Sequence, residues 1–267
     1  MKPALAFRHP DYPRSWQELP NGELIVKNID QVLSPWWPKF FGYYLLKLGA
    51  LSGELNSSAS PIKNQLTLSH QFNAENSANE GNTLPMSNIV AEVDDLPLLE
   101  HSVDVCVLAH ALEFSVDPHH VVREANRVLM PNGYLVITGF NPFSLVGLNQ
   151  FIPYIRKQTP WNERLFSPMR VKDWLHLMGF EIQLDHRFLH SSLSGQCSEG
   201  IFNTPWQKFA ARIFPSLGSV YVIVAKKRVL PLTPIKAKWQ LRPSFKPLKV
   251  PSMRTHENKD ISHLDNS

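Results

Sequence analysis

Four short stretches of the chain hold residue types that could do chemistry. Gly49 and Gly53 stand four positions apart, directly after the apolar run Tyr43–Leu48. Glycines so placed let a tight turn bring backbone N–H groups close to a ligand, or serve only as turn residues. Glu92-Val93-Asp94-Asp95 closes a strand-like run over 88–93. A carboxylate there accepts hydrogen bonds from hydroxyl or amino groups, or is an exposed strand-end acid. His110 directly follows the apolar run Val103–Ala109, with Glu113 three positions on. An imidazole can take a proton from a hydroxyl or an amine near neutrality. Two readings fit His110: such a base, or a ring that bonds locally at a strand end or lines a ligand. Gly139-Phe140-Asn141-Pro142 follows the apolar run Tyr134–Thr138, so Asn141 and His110 are expected to face one cleft.

These stretches need strands to position them, and the hydrophobic pattern supplies them. Tyr43–Leu48, Gln65–Ser69, Asn88–Val93, Val103–Ala109, Tyr134–Thr138, Phe180–Phe188 and Ser219–Ala225 read as strands. Val103–Ala109 has the continuous apolar composition of a strand buried on both faces. Pro118–Leu129 reads as a helix with Val121, Val122, Ala125, Val128 and Leu129 on one face, Asp117 as its N-cap and Pro118 in its first turn. Its Arg123, Glu124 and Arg127 then form an outer face with weak ion pairs, and His119 and His120 are solvated. Val171–Met178 is a second helix, ended by Gly179. Gln207–Phe214 is a candidate third, short helix. Asp104 reads as a structural residue capping a neighbouring turn. Strands alternating with helices imply βαβ units and a parallel sheet. In such a sheet, ligands bind outside the carboxyl ends of the strands, which is where the four stretches fall.

Three regions emerge. Residues 1–42 form a helical extension, with Ile25, Ile29, Val32, Leu33 and Trp36 at helical spacing and Pro35 and Pro38 ending the helix. It is expected to pack on the main domain or help cover its cleft. Residues 43–228 form the α/β domain, and residues 229–267 a basic, Pro-rich tail. Between 70 and 87 the chain is polar and reads as a surface loop. The hydrophobic fraction of 43% supports a substantial core. No apolar run is long enough to cross a bilayer, and the N-terminus lacks the pattern of a signal peptide, so a cytoplasmic protein is expected. Cys106 and Cys197 are too few and too far apart for a disulfide scaffold, and no spacing of His, Cys, Asp and Glu suggests a metal. Residues 226–249 hold eight basic residues and no acid, and without them the net charge of +4 becomes −4. With Trp239 and Phe245 interleaved, that segment suits contact with RNA or with an anionic membrane surface, or acts as a solvated tail.

The stretch AEVDDLPLLEHSVDVCVLAHALEFSVDPHHVVREANRVLMPNGYLVITGFNP, with SPMRVKDWLHLMGFEI further on, resembles the core of the class I S-adenosylmethionine-dependent methyltransferases, type-11 group. The wording LAHALEF…DPH…GFNP is also similar to a set of bacterial proteins called YafS-like. The resemblance implies a Rossmann-like, seven-stranded, mostly parallel sheet with an antiparallel last strand. It implies S-adenosyl-L-methionine as cofactor and methyl transfer to a small or medium acceptor that the sequence does not name. Gly49, Ala50, Gly53, Glu92, Val93 and Ala109 are then the cofactor-binding positions and His110 the candidate catalytic base. Where the family carries acid-x-Gly-x-Gly-x-Gly, this chain reads Lys47-Leu48-Gly49-Ala50-Leu51-Ser52-Gly53, and where a ribose-binding acid follows the second strand it has Ser69-His70. These departures leave a second reading, a non-catalytic binding or regulatory module with a degenerate donor loop.

Overall fold

A computed structural model describes residues 12–70, 86–149, 163–191, 193 and 215–228. The expected helix over 207–214, Cys197, most of the expected loop over 70–87 and the tail from 229 lie outside the described residues. Seven strands form one sheet: β1 Tyr44–Leu48, β2 Asn64–Ser69, β3 Met86–Val90, β4 Val103–Ala109, β5 Leu129–Phe140, β6 Phe180–Phe188 and β7 Val220–Lys227. Their order is β3-β2-β1-β4-β5-β7-β6. The pairs among β1 to β5 are parallel, and β7 runs antiparallel to both β5 and β6. This is the expected α/β class, with β7 as the reversed strand.

Side chains alternate between the two faces of the sheet, as a period of two requires. Leu46, Leu48, Cys106, Leu108, Leu135 and Ile137 pack on one side, with helix α3 Pro118–Val128 and the helix Pro168–Leu177. Leu45, Val105, Val107, Ala109 and Val136 pack on the other, against α1 Gly22–Leu33 and the aromatic residues around it. The spacing of Ile25, Ile29 and Leu33 places all three in that second core, where Trp16, Trp37 and Phe40 join them. The N-terminal region therefore shares the hydrophobic core of the sheet.

Between Val103 and Val105, β4 advances two residues while its partner β5 advances from Leu129 to Tyr134. The expected Pro131-Asn132-Gly133 turn is this excursion, with Asn132 at φ 65°, and the strand runs on either side of it. Asp104 receives the backbone N–H groups of Tyr43 and Tyr44 and so fixes the entry to β1. The thiol of Cys106 is wholly buried, which raises its pKa far above the ordinary value and leaves it inert. No helix among the described residues is long and apolar enough to cross a membrane, and no group of three or more His, Cys, Asp and Glu among them could hold a metal ion.

Candidate functional site

Strand β1 is where the order of the sheet reverses, because β2 and β3 lie to one side of it and β4 to the other. At such a switch point the loops leaving neighbouring strands diverge and open a crevice. A cleft with about 520 Å³ of empty space, part of it open to solvent, lies there. Its floor comes from the turn after β1 (Gly49, Ala50, Leu51) and the turn after β4 (Ala109, His110, Ala111). Ser69 and His70 after β2, and Val93 after β3, line its side.

The floor is rigidly tied. Gly49 adopts φ +86°, a conformation that suits glycine, and its N–H donates to the carbonyl of Leu68 at 2.7 Å. A short helix, α2 (Ala50–Gly53), follows at once. Ser52 bridges the two central strands: its hydroxyl donates to the carbonyl of Leu48 at 2.5 Å and accepts from the N–H of Ala109 at 2.7 Å. Lys47 lies behind this turn, wholly buried, neither reaching water nor lining the cleft. Its ammonium donates to the carbonyls of Leu55 (2.9 Å) and Gly53 (3.4 Å). Burial pulls its pKa down to about 8, against the opposing pull of Asp30. Asp30, itself pushed up to about 6 by burial, accepts from the N–H of Asn56.

Gly49, Ala50, Val93, Ala109 and His110 thus meet in one cleft. Gly53 does not line it, because the turn of α2 carries its carbonyl back onto Lys47. Glu92 stands at the rim, 2.9 Å from His70 Nδ1, with both side chains well exposed. Asn141 does not face the cleft. Its amide donates to the carbonyls of Ser216 and Gly218, and its oxygen accepts from the N–H of Phe143, so it secures the approach to β7. His110 is completely buried at φ 53°, a left-handed conformation that costs free energy and recurs at functional sites. The edge of Trp16 covers it (centroids 5.4 Å, interplanar angle 87°), and Phe140 packs on it at 4.3 Å.

The residues that cover the cleft belong to the N-terminal region but carried no sequence signal of their own. Tyr12, Pro13 and Arg14 cross it as an irregular segment with no periodicity to mark them. Tyr12 stacks on His70 (centroids 5.2 Å, 24°), and burial, then the carboxylates of Glu92, Asp94 and Glu163, push its phenol up to about 12. Trp16 fastens the segment by donating its indole N–H to the carbonyl of Leu51 at 2.9 Å, while Glu54 accepts from the N–H of Trp16 and the hydroxyl of Ser15. The N-terminal aromatic residues were expected to pack or to cover. Trp16 and Trp37 pack in the core, Trp16 also against His110, and Tyr12 covers the cleft.

Comparison with known proteins follows the same lines. Residues 47–137 match the family described as Methyltransferase domain, a span that includes the turns after β1, β2, β3 and β4. The protein YafS of Escherichia coli K12, described as uncharacterized, is 39% identical over 237 residues, 87% of this chain and 88% of its own length. A demethylmenaquinone methyltransferase of Chlamydia pneumoniae is 39% identical over 56 residues, 21% of this chain and 24% of its length. Among solved structures, a SAM-dependent methyltransferase of Thermotoga maritima superposes with a TM-score of 0.57 at 21% identity, covering 77% of this chain and 90% of the other. The [4+2]-cyclase SpnF superposes at 0.55 and 14% identity, covering 85% and 89%. The fold is shared by both structures, residues 47–137 carry the type-11 methyltransferase domain, and the long match shows that the chain belongs to one family with YafS.

Proposed function

We propose that this protein transfers a methyl group from S-adenosylmethionine to a small or medium-sized acceptor. The observation that carries the reading is the cleft at the switch point, floored by an open glycine turn. A Cβ built on Gly49 meets only the Cβ of Ala111, at 3.9 Å, so the space beside that backbone is free for a ligand. The walls from Leu51, Val93, Ala109 and Phe114 are apolar, and polar groups lie at one end, on Ser69, His70 and Glu92. These residues fit an elongated donor with an adenosine end and an amino-acid end. The backbone at Gly49 and Ala50 would hold the amino-acid end. Ser69, His70 and Glu92 would hold the adenosine, with Val93 against the ring.

When bound, S-adenosylmethionine supplies an electrophilic methyl group that a nucleophile takes by in-line displacement at sulfur. The protein's part is chiefly to hold the acceptor in line and keep water out, which is worth several orders of magnitude in effective concentration. His110 is the base, accepting a proton from a hydroxyl or amine nucleophile. Because its ring has no exposed surface, the Tyr12–Trp16 segment must shift for an acceptor to reach it. The buried ring and the lysine at position 47 favour one rival, a binding module that keeps the fold without catalysis. A fold alone decides nothing between the two.

Titration calorimetry with S-adenosylmethionine and S-adenosylhomocysteine tests the reading. Binding is expected, with a rise in melting temperature equivalent to about 2.7 kcal/mol at a hundredfold excess over Kd. Gly49→Val places a branched side chain in the cleft at a positive φ, and is expected to abolish both signals. No heat and no thermal shift at millimolar ligand would overturn the donor reading and leave the binding module.

A further inference from the structure

Beneath the cleft, the carboxyl ends of β4 and β5 and the start of β7 enclose a group of buried polar atoms. His110 Nδ1 and Nε2, Glu113 Oε2 and the Tyr221 hydroxyl all lack a hydrogen-bond partner among the described residues. Most buried polar atoms in folded proteins are paired, so four orphans in one place call for a reason. A carboxylate is the costliest of them to bury, and Glu113 is only 1% exposed. If packing alone shaped this region, an apolar residue would serve better at 113.

Three details give the carboxylate a direction. Its Oε1 accepts the N–H of Phe140 at 2.7 Å, which anchors it to the last residue of β5. The same oxygen stands 3.5 Å from His110 Nδ1, a loose separation of the kind catalytic pairs show before their ligands arrive. A Cβ on Gly139 would come within 2.7 Å of Glu113 Oε1 and closer still to the Tyr221 hydroxyl, so a glycine there keeps room for both groups. Burial and the Glu113 charge hold the Tyr221 phenol well above its ordinary pKa. It stays protonated, a hydrogen-bond donor on the same side of Gly139 as the carboxylate.

We infer that Glu113 is a positioning residue for His110: it takes the Nδ1–H of the imidazole and so keeps the lone pair on Nε2, the nitrogen that accepts the proton from the acceptor. A proton taken at Nε2 leaves the ring cationic beside a carboxylate fixed by Phe140. The strained left-handed backbone at His110 is what brings Nδ1 round to Glu113, three residues on in the same turn. The inference rests on the reading of His110 as the base, but its test needs neither acceptor nor donor.

Nitrogen-15 spectroscopy of the full chain with labelled histidines reads the tautomer directly, with His110 assigned by the signal lost in His110→Gln. The wild type is expected to carry its proton on Nδ1 and none on Nε2. Glu113→Gln, which keeps an acceptor oxygen, is expected to preserve that state, and Glu113→Leu to move the proton to Nε2. A wild-type ring protonated at Nε2 overturns the inference, and so does a folded Glu113→Leu variant still protonated only at Nδ1. Should the leucine variant fail to fold, the wild-type spectrum decides, since it needs no substitution. Donor binding is measured separately by calorimetry: loss of heat with the expected tautomer refutes the methyl-transfer reading alone, and heat with Nε2 protonated refutes this inference alone.

Discussion

Lys47 shows how one residue can invert an expectation. A cation at the head of a donor loop suggests repulsion of a sulfonium ligand, yet the side chain points behind the loop, onto the carbonyls of Gly53 and Leu55. The period of two along β1 put it there, on the face opposite Leu46 and Leu48. Its role is to hold α2, and Lys47→Met is expected to cost about 1–3 kcal/mol, because two carbonyls and Asp30 lose their partner. The pH dependence has a definite sign. The folded pKa of about 8 lies below the unfolded one, so the unfolded chain binds this proton more tightly. The penalty is full below about 8 and is relieved as pH climbs from there toward 10.5. Urea unfolding of wild type and variant at pH 7.5 and 9.5 should show the wild type gaining on the variant, and a constant difference would sink the account. At this scale Gly49, Ala50, Val93, Ala109 and His110 were legible because each ends or follows a strand, and the fold brings strand ends together. Tyr12 and Trp16 were not, since an irregular segment distant in sequence leaves no periodic mark.

Strands were the most legible elements. Val103–Ala109 has the bounds its composition suggests because its run of buried apolar residues ends at His110, and Phe180–Phe188 because apolar and polar residues alternate along it. Helix α3 likewise starts at Pro118, with the Asp117 carboxylate accepting from the N–H groups of His119 and His120. What failed was the account of its outer face. Glu124 and Arg127, read as an outer face with weak ion pairs, grip each other at 2.8 Å and clamp the segment after β3: Glu124 accepts from the N–H of Leu96, and Arg127 donates to the carbonyls of Leu96 and Leu98. His119 is also drawn inward, 4.0 Å from the Trp174 ring, and burial lowers its pKa. Helical period tells which face meets the sheet, but not that a loop will fold over the other. A double-mutant cycle with Glu124→Gln and Arg127→Met is expected to give a coupling of about 1–2 kcal/mol, well above an exposed helix pair. Hydrogen bonds from Arg127 keep the Glu124 carboxyl below its ordinary value, so the coupling is present above 4.5 and fades as pH falls through the lowered value. A coupling of only a few tenths would return the pair to the weak outer-face ion pair of the sequence reading.

Charge belongs to the molecule as a whole, and the structure redistributes it. Of the eight basic residues in 226–249, three are tied to the sheet. Lys226 lies over the Tyr134 ring, Lys227 donates to the carbonyls of Asn126 and Leu129, and Arg228 pairs with Glu181. Five remain beyond the last strand: Lys236, Lys238, Arg242, Lys246 and Lys249. For this segment we propose contact with single-stranded RNA, because Trp239 and Phe245 among the cations offer bases a stacking surface as well as charge. Five phosphate contacts bound the log–log salt slope at about −3.5, since each releases roughly 0.7 of a counterion from a single strand. The full chain and one ending at Arg228 should be compared on a single-stranded RNA and on acidic vesicles at low and moderate salt. Salt-sensitive RNA binding by the full chain alone is expected, with a slope no steeper than that bound. Equal binding by both chains, no binding at low salt, or binding to the vesicles alone each removes the RNA role, the last in favour of a membrane surface. Donor affinity should be the same in both chains, because every described residue lining the cleft lies between Tyr12 and Phe114.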